Sequence, residues 1–325
     1  MTESKNAALD QVCGSVMTEL LNRDDITEIY INDDGFLRYD SYREGKQKLD
    51  ERLSPEVARA IIELIAGQSN KIVNMEIPSV STEIRGYGCR FQGEVPPIVR
   101  SPQFNIRKKA TKVFDFAEYV KTGMLTEEYA EYLEAAILER KNILVIGGTG
   151  TGKTTFLNAI LEAISRLTPH HRIISLEDLP ELQCPADDYS PMFTMQDVED
   201  KKNVYTMTKL LADCMRRSPD RIVVGEVRDG AAYTMLKAWN TGHPGGACTV
   251  HANSAEQGLT RIKSLAQEDD NAAGDLKELI GDAIDVAVSI VHIPLPDGRK
   301  TRRVNEIIEV KGYDSKTDRY IIRRI

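Results

Sequence analysis

Asn142-Ile143-Leu144-Val145-Ile146-Gly147-Gly148-Thr149-Gly150-Thr151-Gly152-Lys153-Thr154-Thr155-Phe156-Leu157 sets the reading of the whole chain. Ile143 to Ile146 are consecutive apolar residues, the composition of a short strand buried on both faces. A glycine-rich loop follows, and Thr154 onward opens a helix. Gly147, Gly152, Lys153 and Thr154 fit the phosphate-loop pattern G-x-x-x-x-G-K-[ST], with the strand before and the helix after that the motif requires. The glycines let successive backbone N–H groups turn toward phosphate oxygens, and the helix N-terminus adds partial positive charge. Lys153 supplies a full charge for the β- and γ-phosphates, and the Thr154 hydroxyl is a ligand for Mg²⁺. Gly147, Gly148, Thr149, Gly150, Thr151, Gly152, Lys153, Thr154 and Thr155 are therefore the candidate cradle for ATP and Mg²⁺. A plain strand-ending turn has no use for Lys-Thr after its last glycine.

The chain has 325 residues, 41% of them hydrophobic, and a formal net charge of −8. Length points to two domains. The acidic total argues against a protein that coats nucleic acid. No run of about 18 apolar residues marks a membrane span, and Met1 to Asn6 lack the pattern of a signal peptide. Five scattered cysteines form no C-x-x-C, so neither a disulfide framework nor a zinc site is expected.

Residues 6–21 read as a helix with Leu9, Val12, Val16 and Leu20 on one face. Ile29-Tyr30-Ile31 and Phe36 to Tyr39 read as strands around Asp34-Gly35, and Ser54-Pro55 starts a second helix ending near Gly67. Strand-like pieces follow at Ser81–Ile84 and Arg90–Gln92. This is a small α+β domain. From Glu83 to Lys112 it carries seven bases (Arg85, Arg90, Arg100, Arg107, Lys108, Lys109, Lys112) against Glu83 and Glu94. Such an excess is either a solvated basic face or a set of guanidinium forks for a polyphosphate. Pro96-Pro97 and Ser101-Pro102 break regular structure, which places the boundary between domains 1–110 and 111–325.

Beyond the boundary, Thr126 caps a helix that runs to Arg140. After the phosphate loop, Arg172 to Leu176 form a short strand ending in Glu177-Asp178, and Ile222 to Val224 form another ending in Gly225-Glu226. Acids just past the ends of parallel strands stand in the crevice where such sheets bind ligands, and in a phosphate-loop fold an acid at the position of Glu226 reaches Mg²⁺ or the attacking water. In Thr241-Gly242-His243-Pro244-Gly245-Gly246-Ala247-Cys248-Thr249-Val250-His251, residues 247–250 read as a strand with His251 at its end, level with Glu177 and Glu226. This stretch is read as a γ-phosphate contact. A capping-box helix from Ser254, a helix near Leu276–Ile284, a strand Val286–Ile293, a turn at Asp297-Gly298 and a closing meander complete the chain.

Together these blocks resemble the secretion-superfamily traffic ATPases, the motors of type II and type IV secretion and of type IV pili. Gly147–Thr154 is similar to their Walker A segment, Arg172–Leu182 to their Asp box, Arg216–Asp229 to their Walker B segment, and Thr241–Ser254 to their His box. Asp25–Asn32 and Arg90–Pro97 resemble the smaller conjugative, TrbB-like branch. The absence of a four-cysteine zinc module and of the pilus-retraction C-terminal motif favours that branch.

The resemblance implies an α/β protein: a RecA-like P-loop NTPase domain behind a smaller α+β, sensor-like domain, assembled as a homo-hexamer. Lys153 and Thr154 would hold phosphate and Mg²⁺, Glu177 would activate water, and Glu226 would support Mg²⁺ or water. His251 would sense the γ-phosphate with His243 nearby. Arg216 and Arg228 match the phosphate-facing arginines of pilus motors, and Arg90 and Arg107 those of the conjugative branch. The implied function is a Mg²⁺-dependent ATPase that powers conjugative or type IV secretion. It would sit peripherally at the cytoplasmic face of the inner membrane, beside secretion-channel and coupling proteins. A type IV pilus or type II secretion motor is the alternative within the class. A nucleotide-gated scaffold and a DNA translocase are alternatives outside it; intact Glu177 and Glu226 oppose the first, and the acidic charge opposes stable nucleic-acid binding.

Overall fold

The computed structural model describes residues 6–41, 43–108, 113–195, 204–272, 274–294 and 300–325. The chain divides into two compact units, Met1–Thr111 and Lys112–Ile325. Unit 1 runs α1 (Ala7–Asn22), β1 (Ile26–Ile31), β2 (Phe36–Ser41), β3 (Gly45–Arg52), α2 (Pro55–Gln68), β4 (Ser79–Ile84), β5 (Cys89–Glu94) and β6 (Gln103–Arg107). Its antiparallel sheet has the order β3-β2-β1-β6-β5-β4. Period-2 alternation puts Ile29, Phe91, Phe104 and Ile106 on one face, where they pack with Leu9, Met17, Ile61 and Ile65 of the two helices. The other face carries Glu83, Arg90, Arg107 and Glu28 in one cross-strand row.

Unit 2 continues with α3 (Phe116–Lys121), α4 (Glu127–Leu138), β7 (Ile143–Gly147), α5 (Lys153–Leu167), β8 (Ile173–Glu177), β9 (Tyr189–Phe193), α6 (Met207–Cys214), β10 (Arg221–Val224), α7 (Ala231–Asn240), β11 (Ala247–Val250), α8 (Ala255–Ala266), α9 (Leu276–Ala283), β12 (Val286–Pro294), β13 (Lys300–Asp314) and β14 (Arg319–Arg324). The sheet order is β14-β13-β12-β7-β11-β10-β8-β9. The strands from β12 to β9 are parallel, and β12-β13-β14 is the expected antiparallel meander. β7 lies among them with every residue buried. Leu144 and Ile146 face the core under α6–α9, while Ile143 and Val145 face the core under α3–α5. Fully burying one such side chain is worth roughly 1.5–3 kcal/mol, so these four contribute on the order of the net stability of a domain. That is why an unbroken apolar run takes a central position.

Two strands of unit 1 have no counterpart among those expected from the sequence. β6 directly follows Ser101-Pro102, where a break in regular structure is expected, yet it is an inner strand of the unit 1 sheet; the proline sits just before the strand, where its missing N–H costs no ladder bond. β3 left no apolar alternation because it is an edge strand with most side chains in water. The Asp297-Gly298 turn and Lys109 and Lys112 lie outside the described residues. Among the described residues no helix is long and apolar enough to cross a membrane.

Candidate nucleotide-binding site

The loop leaves β7 at Gly147 and enters α5 at Lys153. Gly150 and Gly152 have left-handed backbone, with φ of 73° and 92°, a region costly to L side chains. Gly147 is needed for space: a methyl group there would lie 2.4 Å from Thr151 Oγ1 and 2.7 Å from the Ile290 carbonyl oxygen. Thr151 Oγ1 donates to the Gly148 carbonyl at 2.9 Å and closes the loop. No side chain caps α5, whereas α1 to α4, α6, α8 and α9 each open under an Asn, Ser, Asp or Thr cap. The first N–H groups of α5 thus remain available to an anion.

Lys153 is 7% exposed. Its Nζ donates to the Gly148 carbonyl at 3.1 Å and lies 3.1 Å from His251 Nδ1. His251 Nε2 lies 2.9 Å from Glu226 Oε1. Glu226 Oε2 accepts from Arg228 Nη2, and Arg228 Nη1 lies 3.9 Å from Asp178 Oδ2. One polar chain therefore runs along the C-terminal ends of β7, β11, β10 and β8. Backbone and side-chain bonds hold it: Val227 N–H donates to Thr249 O at 3.2 Å, and Thr249 Oγ1 donates to Gly225 O at 2.7 Å. Burial disfavours the Arg228 charge, but the Glu226 hydrogen bond and the nearby Asp178 and Glu181 outweigh it and raise its pKa.

Glu177 is buried, and its Oε2 accepts the backbone N–H groups of Glu181 at 2.7 Å and Leu182 at 2.8 Å. Gln183 N–H donates to Asn158 Oδ1 on α5 at 2.9 Å. The acidic loop is thus folded around its own carboxylate and tied to the helix of the phosphate loop. Gly225 makes room for Glu177, since a methyl group there would lie 3.2 Å from Glu177 Cγ. Gly225 and Thr249 are positioning residues that sequence reasoning did not single out; the only signal was a glycine directly before Glu226.

The residues fit ATP and Mg²⁺. Glu226 Oε1 is buried and takes no hydrogen bond among the described residues, despite its contact with His251. An orphaned carboxylate oxygen beside a phosphate cradle suits a hydrated cation or a bound water. Among the described residues no group of three or more His, Cys, Asp or Glu forms a metal cage. Thr154 and Glu226 offer oxygen atoms of the kind Mg²⁺ takes together with phosphate oxygens and water.

Other expected members stand elsewhere. His243 precedes β11, so it lies at the opposite end of the sheet from His251 and Lys153. Gly245 and Gly246 are there too, and both N–H groups donate to the buried Asn142 Oδ1, at 2.8 and 2.9 Å. Only His251 of that stretch reaches the phosphate loop. Gly246 has a packing role: a methyl group there would lie 2.2 Å from Trp239 Nε1 and 2.5 Å from Ile222 O. Gly246→Ala is therefore expected to cost about 1–3 kcal/mol, the usual scale of overpacking, with nucleotide affinity of the folded protein unchanged; urea unfolding beside ligand titration checks both. Arg216 is the middle residue of a 3-10 turn, Met215–Arg217, that leads into the start of β10. It bonds Ala212 O at 3.2 Å, and within this chain it does not face the phosphate loop. Arg90 and Arg107 are directly opposed across β5 and β6, with Glu83 and Glu28 on either side.

The buried parallel sheet, the glycine loop on β7 and the acids after β8 and β10 define a phosphate-loop NTPase of the RecA-like class, preceded by a smaller α+β domain. Residues 8–293 match the type II/IV secretion system protein family, and the chain belongs to it. It is 39% identical over 305 residues to a probable conjugal transfer protein TrbB of Sinorhizobium fredii, covering 94% of this chain and 89% of that protein. It is likewise 39% identical over 304 residues to the conjugal transfer protein TrbB of Rhizobium radiobacter, covering 94% and 88%. Among solved structures, the Legionella pneumophila ATPase DotB has the same fold, with a TM-score of 0.63, 19% identity, and coverage of 93% of this chain and 80% of that one. The resemblance read from the sequence boxes holds.

Proposed function

We propose that this chain is a Mg²⁺-dependent ATPase of conjugative type IV secretion, acting as a homo-hexamer at the cytoplasmic face of the inner membrane. The observation that carries this reading is the linked set Lys153, His251 and Glu226 at the phosphate loop, in a chain 39% identical to TrbB over 94% of its length. Lys153 and the α5 N-terminus hold the β- and γ-phosphates, and Thr154 offers its hydroxyl to Mg²⁺. The ion, when bound, neutralises charge between the β- and γ-phosphates. Glu226 Oε1 holds the attacking water and accepts its proton, with Glu177 beside it across Gly225. His251, between Lys153 and Glu226, reports the presence of the γ-phosphate.

The purified protein should release phosphate from ATP with Mg²⁺ and not with EDTA, and light scattering should give six subunits. Lys153→Ala removes a charge-assisted contact, so nucleotide binding is expected to weaken by roughly 10- to 100-fold without loss of the fold. Unchanged affinity in a folded Lys153→Ala protein would remove the nucleotide-site assignment.

A further inference from the structure

We infer that His292 and Arg302, a cross-strand pair on β12 and β13, form the part of the site that grips the α-phosphate, at the nucleoside end of ATP. β12 runs parallel to β7 as far as the pair Ile290 and Gly147, so His292 lies beyond the start of the phosphate loop. Arg302 is its register partner on β13. Both side chains reach the loop: a methyl group on Gly150 would lie 3.8 Å from His292 Nε2, and one on Gly152 would lie 3.5 Å from Arg302 Cδ and 3.6 Å from its guanidinium. Among the described residues no carboxylate pairs with either of them. An unneutralised guanidinium against an anion cradle is an open phosphate ligand.

Sheet order assigns which phosphate. β7 lies between β12 and β11. On the β11 side stand His251 and, one strand further, Glu226, with Lys153 Nζ turned toward them. That side holds the reacting γ-phosphate. A triphosphate lying across the loop then directs its α-phosphate and ribose toward β12, where His292 and Arg302 stand. Arg302 takes α-phosphate oxygens with its planar fork, and His292 lies over the loop at Gly150.

This inference rests on the nucleotide-site reading, and calorimetric titration separates the two. ADP, ATP and inorganic pyrophosphate, which has no third phosphate for the α position, are titrated into the wild-type protein, Lys153→Ala, Arg302→Ala, Arg302→Lys and His292→Ala. Arg302→Ala should weaken ADP and ATP roughly tenfold or more, the scale of a charged hydrogen bond, and leave pyrophosphate unchanged. His292→Ala should weaken the nucleotides less, and Arg302→Lys should recover affinity only in part. A thermal melt of each variant establishes the fold, and Arg302→Lys keeps the test alive if the alanine variant unfolds. Unchanged ADP affinity in Arg302→Ala, or an equal loss for pyrophosphate, would overturn the inference. If the wild-type protein binds no nucleotide, or Lys153→Ala binds it undiminished, the site reading fails instead.

Discussion

Glu226→Gln is expected to leave ATP bound and to slow its hydrolysis by roughly 10²-fold or more, the scale of losing a positioned proton acceptor. Each tenfold is about 1.36 kcal/mol of barrier, so the change removes roughly 3 kcal/mol of transition-state stabilisation. The geometry explains why binding survives. Affinity comes from Lys153, the loop and the uncapped start of α5, none of which the substitution touches. Gln keeps the volume of Glu and an oxygen to accept from Arg228, which holds Glu226 Oε2. What it loses is the charge and basicity at Oε1, the atom without a hydrogen bond. Glu177→Gln is a sharper probe of its own position, because one amide oxygen can still accept the Glu181 and Leu182 N–H groups; a fall in turnover with a normal melt then reads charge and not loop collapse. Fluorescent-nucleotide binding beside single-turnover phosphate release separates the two effects. Turnover of Glu226→Gln within a few-fold of wild type would sink the water-binding role.

The phosphate loop was legible because its chemistry is local: strand, glycines, Lys153 and the helix start are contiguous. Glu177, Glu226 and His251 were legible as strand-end residues, and parallel pairing of β8, β10 and β11 does bring those ends together. His243 misled because sequence proximity to His251 conceals the length of β11 between them. The strand carries the two histidines to opposite ends of the sheet. Gly245 and Gly246 misled for a related reason: a glycine needed for packing under Trp239 looks the same in sequence as a glycine needed for phosphate. Arg302 and His292 had no local signal at all. Their place beside Gly150 and Gly152 depends on β12 joining the far edge of β7, a pairing between segments far apart in the chain. β6 was lost to a proline that only precedes it.

That recovered strand changes what the basic stretch can do. In the sequence, the excess of bases from Glu83 to Lys112 has no fixed arrangement; the pairing of β5 with β6 holds Arg90 and Arg107 side by side on one sheet face. Like charges directly opposed across strands destabilise a sheet, and Glu83 and Glu28 flank the pair in the same row. Two guanidinium forks side by side suit a polyanion, and we propose that the two arginines act on ATP. In phosphoryl transfer, charge spreads over the equatorial oxygens of a loose transition state, and one phosphate-facing arginine is worth roughly 10³-fold or more in rate. Arg107→Ala and Arg90→Ala are therefore expected to cut turnover by about 10³-fold. Lysine at either position should rescue poorly, since it lacks the planar fork. Stability should change little, because each alanine removes a cation opposed to the other arginine and also the neighbour of Glu83 or Glu28; an ordinary surface change stays within about 0.5 kcal/mol. Arg216→Ala, away from the phosphate loop and 76% exposed in its side chain, is the comparison and should retain activity. Arg228→Ala should lose activity together with the orientation of Glu226. Steady-state phosphate release beside a thermal melt for the four variants decides among them. Full activity in Arg90→Ala and Arg107→Ala with loss in Arg216→Ala would move the catalytic arginines into unit 2, the pattern of pilus motors, and would leave the unit 1 pair as a solvated face.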